Sequence, residues 1–356
     1  MNKTRNYGID LLRIITMLGV CVMHILGHGG VLSNAIRARQ FDTAWFLEVV
    51  GYPAVDCFVI ISGFVGCRKI LPSLKSVVTQ YLTVLLYSVA IFSILARVFP
   101  ATVPMSDLGG TFMPVTTYQY WFFTCYIGML ALSPLINGFV NHADKKTLYI
   151  VGAVIFLVFA VYGSYSIHHG DRFRLVNGYS LVWFIPMYAL GAIISKTELY
   201  KKIPVYVALP TLVICFVSTW LVKINSVGAD TTLVPLSKSL VNYVSPTMVL
   251  AAIMSVCLFA KIKVNRKFIA WLITFFSSSA FSVYLIHDNN YFRDNIVVGA
   301  FKQIGDYQPV MLVLAVIANA LCIFVACVLI DKIRVLLFKL LHIEKLCDLI
   351  QKKCNF

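Results

Sequence analysis

Charge is scarce in this chain of 356 residues: Asp, Glu, Lys and Arg make up 13%, while 60% of residues are hydrophobic. Soluble domains carry roughly 25% charged residues, so this balance excludes a soluble enzyme and points to a multi-pass membrane protein. Acidic residues are the scarcer sign, which leaves a net charge of +15. In a chain this apolar, excess Lys and Arg orient the protein and meet anionic lipid headgroups, and no nucleic-acid partner is expected. The sequence has no Gly-rich phosphate loop, no Ser-His-Asp order and no cluster with metal-ligand spacing. Its ten cysteines are scattered through apolar runs such as Val20-Cys-Val22 and Ala326-Cys-Val328, and read as small core residues.

What the chain has instead is a series of long apolar segments. They predict an all-α, polytopic membrane protein of about ten transmembrane helices, near residues 8–27, 44–66, 73–99, 120–140, up to 166, 181–194, 204–222, 243–260, 269–287 and 310–329. The first segment is not a cleaved secretory signal, because Asp10 and Arg13 interrupt it and no small-residue cleavage site follows. Residues 100–119 form a loop rich in Pro and Gly, either a lid or a connection. Residues 1–340 are expected to form one transmembrane domain, and 341–356 a basic cytoplasmic tail. Ten crossings place both termini on one side. Of the Lys and Arg outside the first helix, 20 fall on that side and 9 on the other, which predicts a cell-membrane protein with cytoplasmic termini.

The first helix carries Asp10, Arg13 and His24, ionisable groups that are costly at membrane depth and so need partners or a function. At about 100° per residue the three fall within about 60° of one another, and about 16 Å of rise separates Arg13 from His24. They share one stripe, with Arg13 towards the inner face and His24 towards the outer.

Four stretches in order complete the pattern: Gly8-Ile-Asp-Leu-Leu-Arg13 followed after ten residues by His24, Asp56-Cys-Phe-Val-Ile-Ile-Ser-Gly-Phe64, Tyr120-Trp-Phe-Phe-Thr-Cys-Tyr126 and Phe281-Ser-Val-Tyr-Leu-Ile-His287. Together they resemble membrane acyltransferase family 3, whose members move acyl groups, often acetyl from acetyl-CoA, onto glycans. The resemblance covers nearly the whole chain. It implies an O-acyltransferase with acetyl-CoA as donor substrate, no bound cofactor, no metal and a cell-surface or lipid-linked saccharide as acceptor. Some relatives carry an additional extracytoplasmic esterase-like domain. This chain is expected to lack one, and so to acylate its acceptor directly or to pass the group to a separate extracytoplasmic transferase.

Acyl transfer needs a base or nucleophile at the carbonyl and a holder for the donor. His24 suits the first role, as a base towards a sugar hydroxyl or as an attacking nucleophile; its bland reading is a packed polar residue. Arg13 suits the second, through a CoA phosphate or the pantetheine carbonyls, or it pairs with Asp10, three residues away. Asp56 is expected to face Arg13, His24 or a wet cavity, orienting His24 or serving as a structural partner. Ser62 beside Gly63 reads as close helix packing more than as a nucleophile, and Ser277-Ser-Ser-Ala-Phe-Ser282 reads the same way. His287, with Asp288, stands level with His24 and either contacts the acceptor or simply ends a helix. Trp121 and Trp183 begin two similar stretches, Trp-Phe-x3-Tyr, and read as an interfacial belt or as flanks of an acceptor site. The competing function is a secondary transporter or flippase using Arg13, Asp56 and His24 as a substrate or proton path. Broken paired helices or an inverted repeat would favour it.

Overall fold

A computed structural model describes residues 5–227 and 233–343, with Lys345, Cys347 and Asp348. Lys3 and most of the tail expected at 341–356 lie outside the described residues. Every regular element among the described residues is a helix, and all ten expected segments are helical. We number them α1 (Tyr7–Leu26), α2 (Ala38–Gly66), α3 (Leu74–Val98), α4 (Trp121–His142), α5 (Lys145–Ile167), α6 (Leu181–Thr197), α7 (Val205–Asn225), α8 (Pro246–Phe259), α9 (Lys267–His287) and α10 (Pro309–Leu340). Eight of these are long and apolar enough to cross a membrane. The apolar helices α6 and α8 are shorter, with 17 and 14 residues.

Local chemistry explains the starts and breaks. The Asn6 side chain accepts from the Ile9 amide and caps α1. Helix α2 is interrupted at Tyr52 and Pro53, where proline has no amide hydrogen to continue the ladder. Helix α9, expected to be continuous, breaks at Ser278 and Ser279. There Lys332 of α10 donates to the Phe275 carbonyl at 2.6 Å and to Ser279 Oγ at 2.9 Å, so backbone freed by the break stays paired. Helix α10 runs past the expected end at 329 to Leu340. On that extension Asp331 is fully buried, held by Arg334 at 2.8 and 2.9 Å and by the Tyr87 hydroxyl at 2.8 Å.

Small residues let the backbones approach. A Cβ on Gly63 would sit 1.9 Å from the Tyr188 carbonyl oxygen, and one on Gly191 would sit 1.9 Å from that of Ile60. The reciprocal clash means α2 and α6 touch main chain to main chain, where dispersion contacts do the work that the hydrophobic effect does in water. Gly8 does the same for α1 against α8, 1.9 Å from the Phe259 carbonyl oxygen. The nine described cysteines are free, and all but Cys322 are buried.

These contacts fix the two ends of α1 against its neighbours. The start of α1 is tied to the end of α8, where Asn6 Nδ2 donates to the Ala260 carbonyl at 3.0 Å. The far end of α1 meets the far end of α9, bringing His24 against His287. Tyr120 secures that end of α9 by donating to the Leu285 carbonyl at 3.0 Å and accepting from Asn289 at 2.7 Å.

Candidate active site

Two hollows lie along the polar stripe of α1. One, of about 320 Å³, is lined by Arg5, Arg13, Ser62, Gln80 and Ser277. The other, of about 220 Å³, is lined by His24, His28, Asp288, Arg293, Trp121 and Tyr284 among apolar side chains. Phe58, Phe122 and Phe281 line both. Phe58 and Phe122 meet edge to face with ring centres 6.3 Å apart where the two spaces adjoin.

At the Arg13 end, Asp10 is buried and bonded to two guanidinium groups. Arg13 Nη1 donates to its Oδ1 at 2.7 Å, and Arg5 Nε donates to its Oδ2. The Asp10 to Arg13 ion pair therefore exists, and both arginines still line the hollow, with the Arg13 side chain 31% exposed. One carboxylate cannot balance two guanidinium groups. A net positive charge remains facing the space, which suits an anion.

At the other end, His24 Nδ1 lies 2.9 Å from His287 Nε2, and His287 Nδ1 lies 2.6 Å from the Val283 carbonyl oxygen. A carbonyl oxygen only accepts, so His287 Nδ1 carries the proton. In a neutral ring its Nε2 then accepts, which makes His24 Nδ1 the donor and leaves the His24 Nε2 lone pair free. Asp288 Oδ1 stands 3.7 Å from His24 Nδ1 and 3.5 Å from Arg293 Nη1. Burial holds the Asp288 carboxyl above its ordinary range, against the pull of His287 and Arg293. His24, His28 and Asp288 place possible ligand atoms within 4.8 Å of one another, a set that could hold a metal ion. Arg293 competes there, since its positive charge sits on the same Asp288 oxygen.

A family model described as an acyltransferase domain matches residues 6–331, a span that includes every residue lining the two hollows except Arg5. The chain belongs to the acyltransferase 3 family. No curated protein and no solved structure matches it.

Within this membrane acyltransferase, the expected site residues divide. Arg13, Asp10 and Ser62 gather at one hollow; His24 and Trp121 line the other, with His287 behind His24. Ser62 also donates to the Phe58 carbonyl at 2.8 Å, so its hydroxyl proton is already given away along its own helix. Asp56 faces neither Arg13 nor His24. It is fully buried and accepts from Trp183 Nε1 at 2.9 Å, a tie between the same two helices that Gly63 and Gly191 bring together. Trp183 is fully buried too, and presents no surface to the outside of the bundle. His287 is turned to His24 and to its own helix.

Several lining residues of the acyltransferase carried no distinctive sequence signal. Arg5 resembles any basic flanking residue, and Arg293 any loop arginine, until the fold sets them against Asp10 and Asp288. Tyr179 and Tyr243 precede α6 and α8 and meet only in three dimensions, with ring centres 5.3 Å apart.

Proposed function

We propose that this acyltransferase takes acetyl from cytoplasmic acetyl-CoA and delivers it to a hydroxyl of a cell-surface or lipid-linked saccharide. The observation that carries the reading is the pair of hollows on one helix, cationic at Arg13 and histidine-lined at His24, with only aromatic side chains common to both. A CoA molecule pairs phosphates at one end with a thioester at the end of a long, thin arm. Arg5 and Arg13 hold the phosphates, and the arm passes Phe58, Phe122 and Phe281 to bring the thioester to His24.

There the free Nε2 of His24 takes the proton of the acceptor hydroxyl as its oxygen bonds to the thioester carbonyl carbon. The carbon–sulfur bond then breaks, and the sulfur leaves as thiol with the proton that His24 held. Tyr284 lines the same hollow, with its hydroxyl buried beside the Phe122 backbone. It supplies a donor to the carbonyl oxygen as negative charge develops.

The interrupted helices α2 and α9 belong to the signature of a transporter, the competing reading. The family membership favours the transferase, and the carbonyl freed in α9 is held by Lys332. Proteoliposomes separate the two readings. Release of free CoA from acetyl-CoA in step with acetyl ester appearing on glycan is expected; solute movement without CoA release would establish a carrier.

A further inference from the structure

A third hollow, of about 370 Å³, lies beside the His24 cavity, and Tyr179 and Tyr243 line both. Its other walls come from chain segments at the His24 end: Tyr52 at the break in α2, His168 after α5, Asn177 before α6, and Lys238 and Asn242 before α8. An aromatic run joins the two spaces. Trp121 and Tyr179 have ring centres 4.4 Å apart, Trp121 stacks at 21° on Tyr243 at 6.4 Å, and Tyr243 meets Tyr52 at 5.3 Å.

The polar chemistry of this hollow is incomplete. Asn242 is only 6% exposed, and its Nδ2 donates to the carbonyls of Lys238 and Ser239 at 2.8 and 2.9 Å. Two carbonyls can be met only by the amide nitrogen, so the orientation of the amide is fixed. Oδ1 is then the atom left over, buried without a partner. A buried acceptor without a donor is costly, and no donor among the described residues relieves it.

Resting on the reading that the acceptor is a saccharide, we infer that Trp121, Tyr179, Tyr243 and Asn242 form its binding subsite. Aromatic faces suit the C–H faces of pyranose rings, and a sugar hydroxyl is the donor that Asn242 Oδ1 lacks. Lys238, exposed in the same lining, favours a glycan that is neutral or anionic over a cationic one. The run of rings leads the saccharide past Trp121 until a hydroxyl reaches His24. The entry is thus separate from the donor hollow, so donor and acceptor meet without sharing a path.

The test uses purified full-length protein in proteoliposomes, radiolabelled acetyl-CoA and surface polysaccharide from the native host as acceptor. Asn242→Leu removes the acceptor oxygen at similar size, together with the amide that meets the Lys238 and Ser239 carbonyls, and Tyr179→Ala removes one stacking face. Each should raise the KM for glycan about tenfold, the loss of roughly one hydrogen bond or ring contact, while the KM for acetyl-CoA moves less than twofold. Should Asn242→Leu not fold, Tyr179→Ala decides alone. Tyr179 is 41% exposed, and it is its backbone carbonyl that holds the Tyr118 hydroxyl. A wild-type KM for glycan in the folded variants, or equal rises in both KM values, overturns the subsite. Failure of the wild type itself to label glycan overturns instead the saccharide reading on which it rests.

Discussion

His24 Nδ1 sits 2.9 Å from His287 Nε2, across 263 residues of sequence, and the proton on that bond is assigned by a third group, the Val283 carbonyl. The consequence is directional. Each ring spends one nitrogen on its neighbour, and only His24 Nε2 keeps an unshared pair for chemistry. On the proposed mechanism His287 is a positioning residue, acting through its bond to His24.

His287→Ala should therefore lower the single-turnover rate of acetyl transfer by on the order of 100-fold, because His24 can then rotate and exchange tautomers. The affinity for acetyl-CoA should change less than twofold. His287→Gln, whose amide oxygen can still accept from His24 Nδ1, should recover part of the rate. A merely structural role would make both variants lose stability without that partial rescue.

Arg5→Ala and Arg13→Ala should each weaken acetyl-CoA binding by about 10- to 100-fold, the worth of a charge-assisted contact of about 1.5–3 kcal/mol. Arg13→Lys should recover only part, since an ammonium keeps the charge but not the fork. Calorimetric titration with CoA checks this. Unchanged affinity in Arg13→Ala would leave Arg13 as the structural partner of Asp10.

Asp56 leads to a different expectation. Its tie is to Trp183, so Asp56→Asn, which keeps an oxygen for the indole, should retain turnover within about threefold, as expected for a group outside the chemistry. Gly63→Ala should be far more harmful, because its Cβ would press on the Tyr188 carbonyl and overpacking costs about 1–3 kcal/mol or more. Thermal unfolding in detergent compares the two. A fall in turnover in well-folded Asp56→Asn would return Asp56 to the mechanism.

The parts legible in sequence were those set by local periodicity. The ten apolar segments and the stripe of Asp10, Arg13 and His24 follow from helix geometry and need no tertiary knowledge. The partners of those residues did not follow. That His24 meets His287 depends on how α1 and α9 pack, and that Asp56 meets Trp183 depends on Gly63 and Gly191 drawing α2 and α6 together. Trp121 and Trp183 open similar stretches, yet one lines the His24 cavity and the other is core, because burial is decided by neighbours that the stretch does not contain.

Cytoplasmic termini carry their own test. In a background without native cysteines, Lys201→Cys in the basic turn after α6 should be shielded from a membrane-impermeant maleimide added to intact cells, and His169→Cys after α5 should be labelled. The opposite pattern would invert the donor and acceptor sides.

The most direct test of the account compares donor binding with transfer in one variant. Purified His24→Ala should bind acetyl-CoA within about twofold of wild type, because Arg13 stands about 16 Å away along α1 and Arg5 lies beyond it, yet should give no single-turnover transfer to glycan. Substantial transfer by folded His24→Ala would contradict the account.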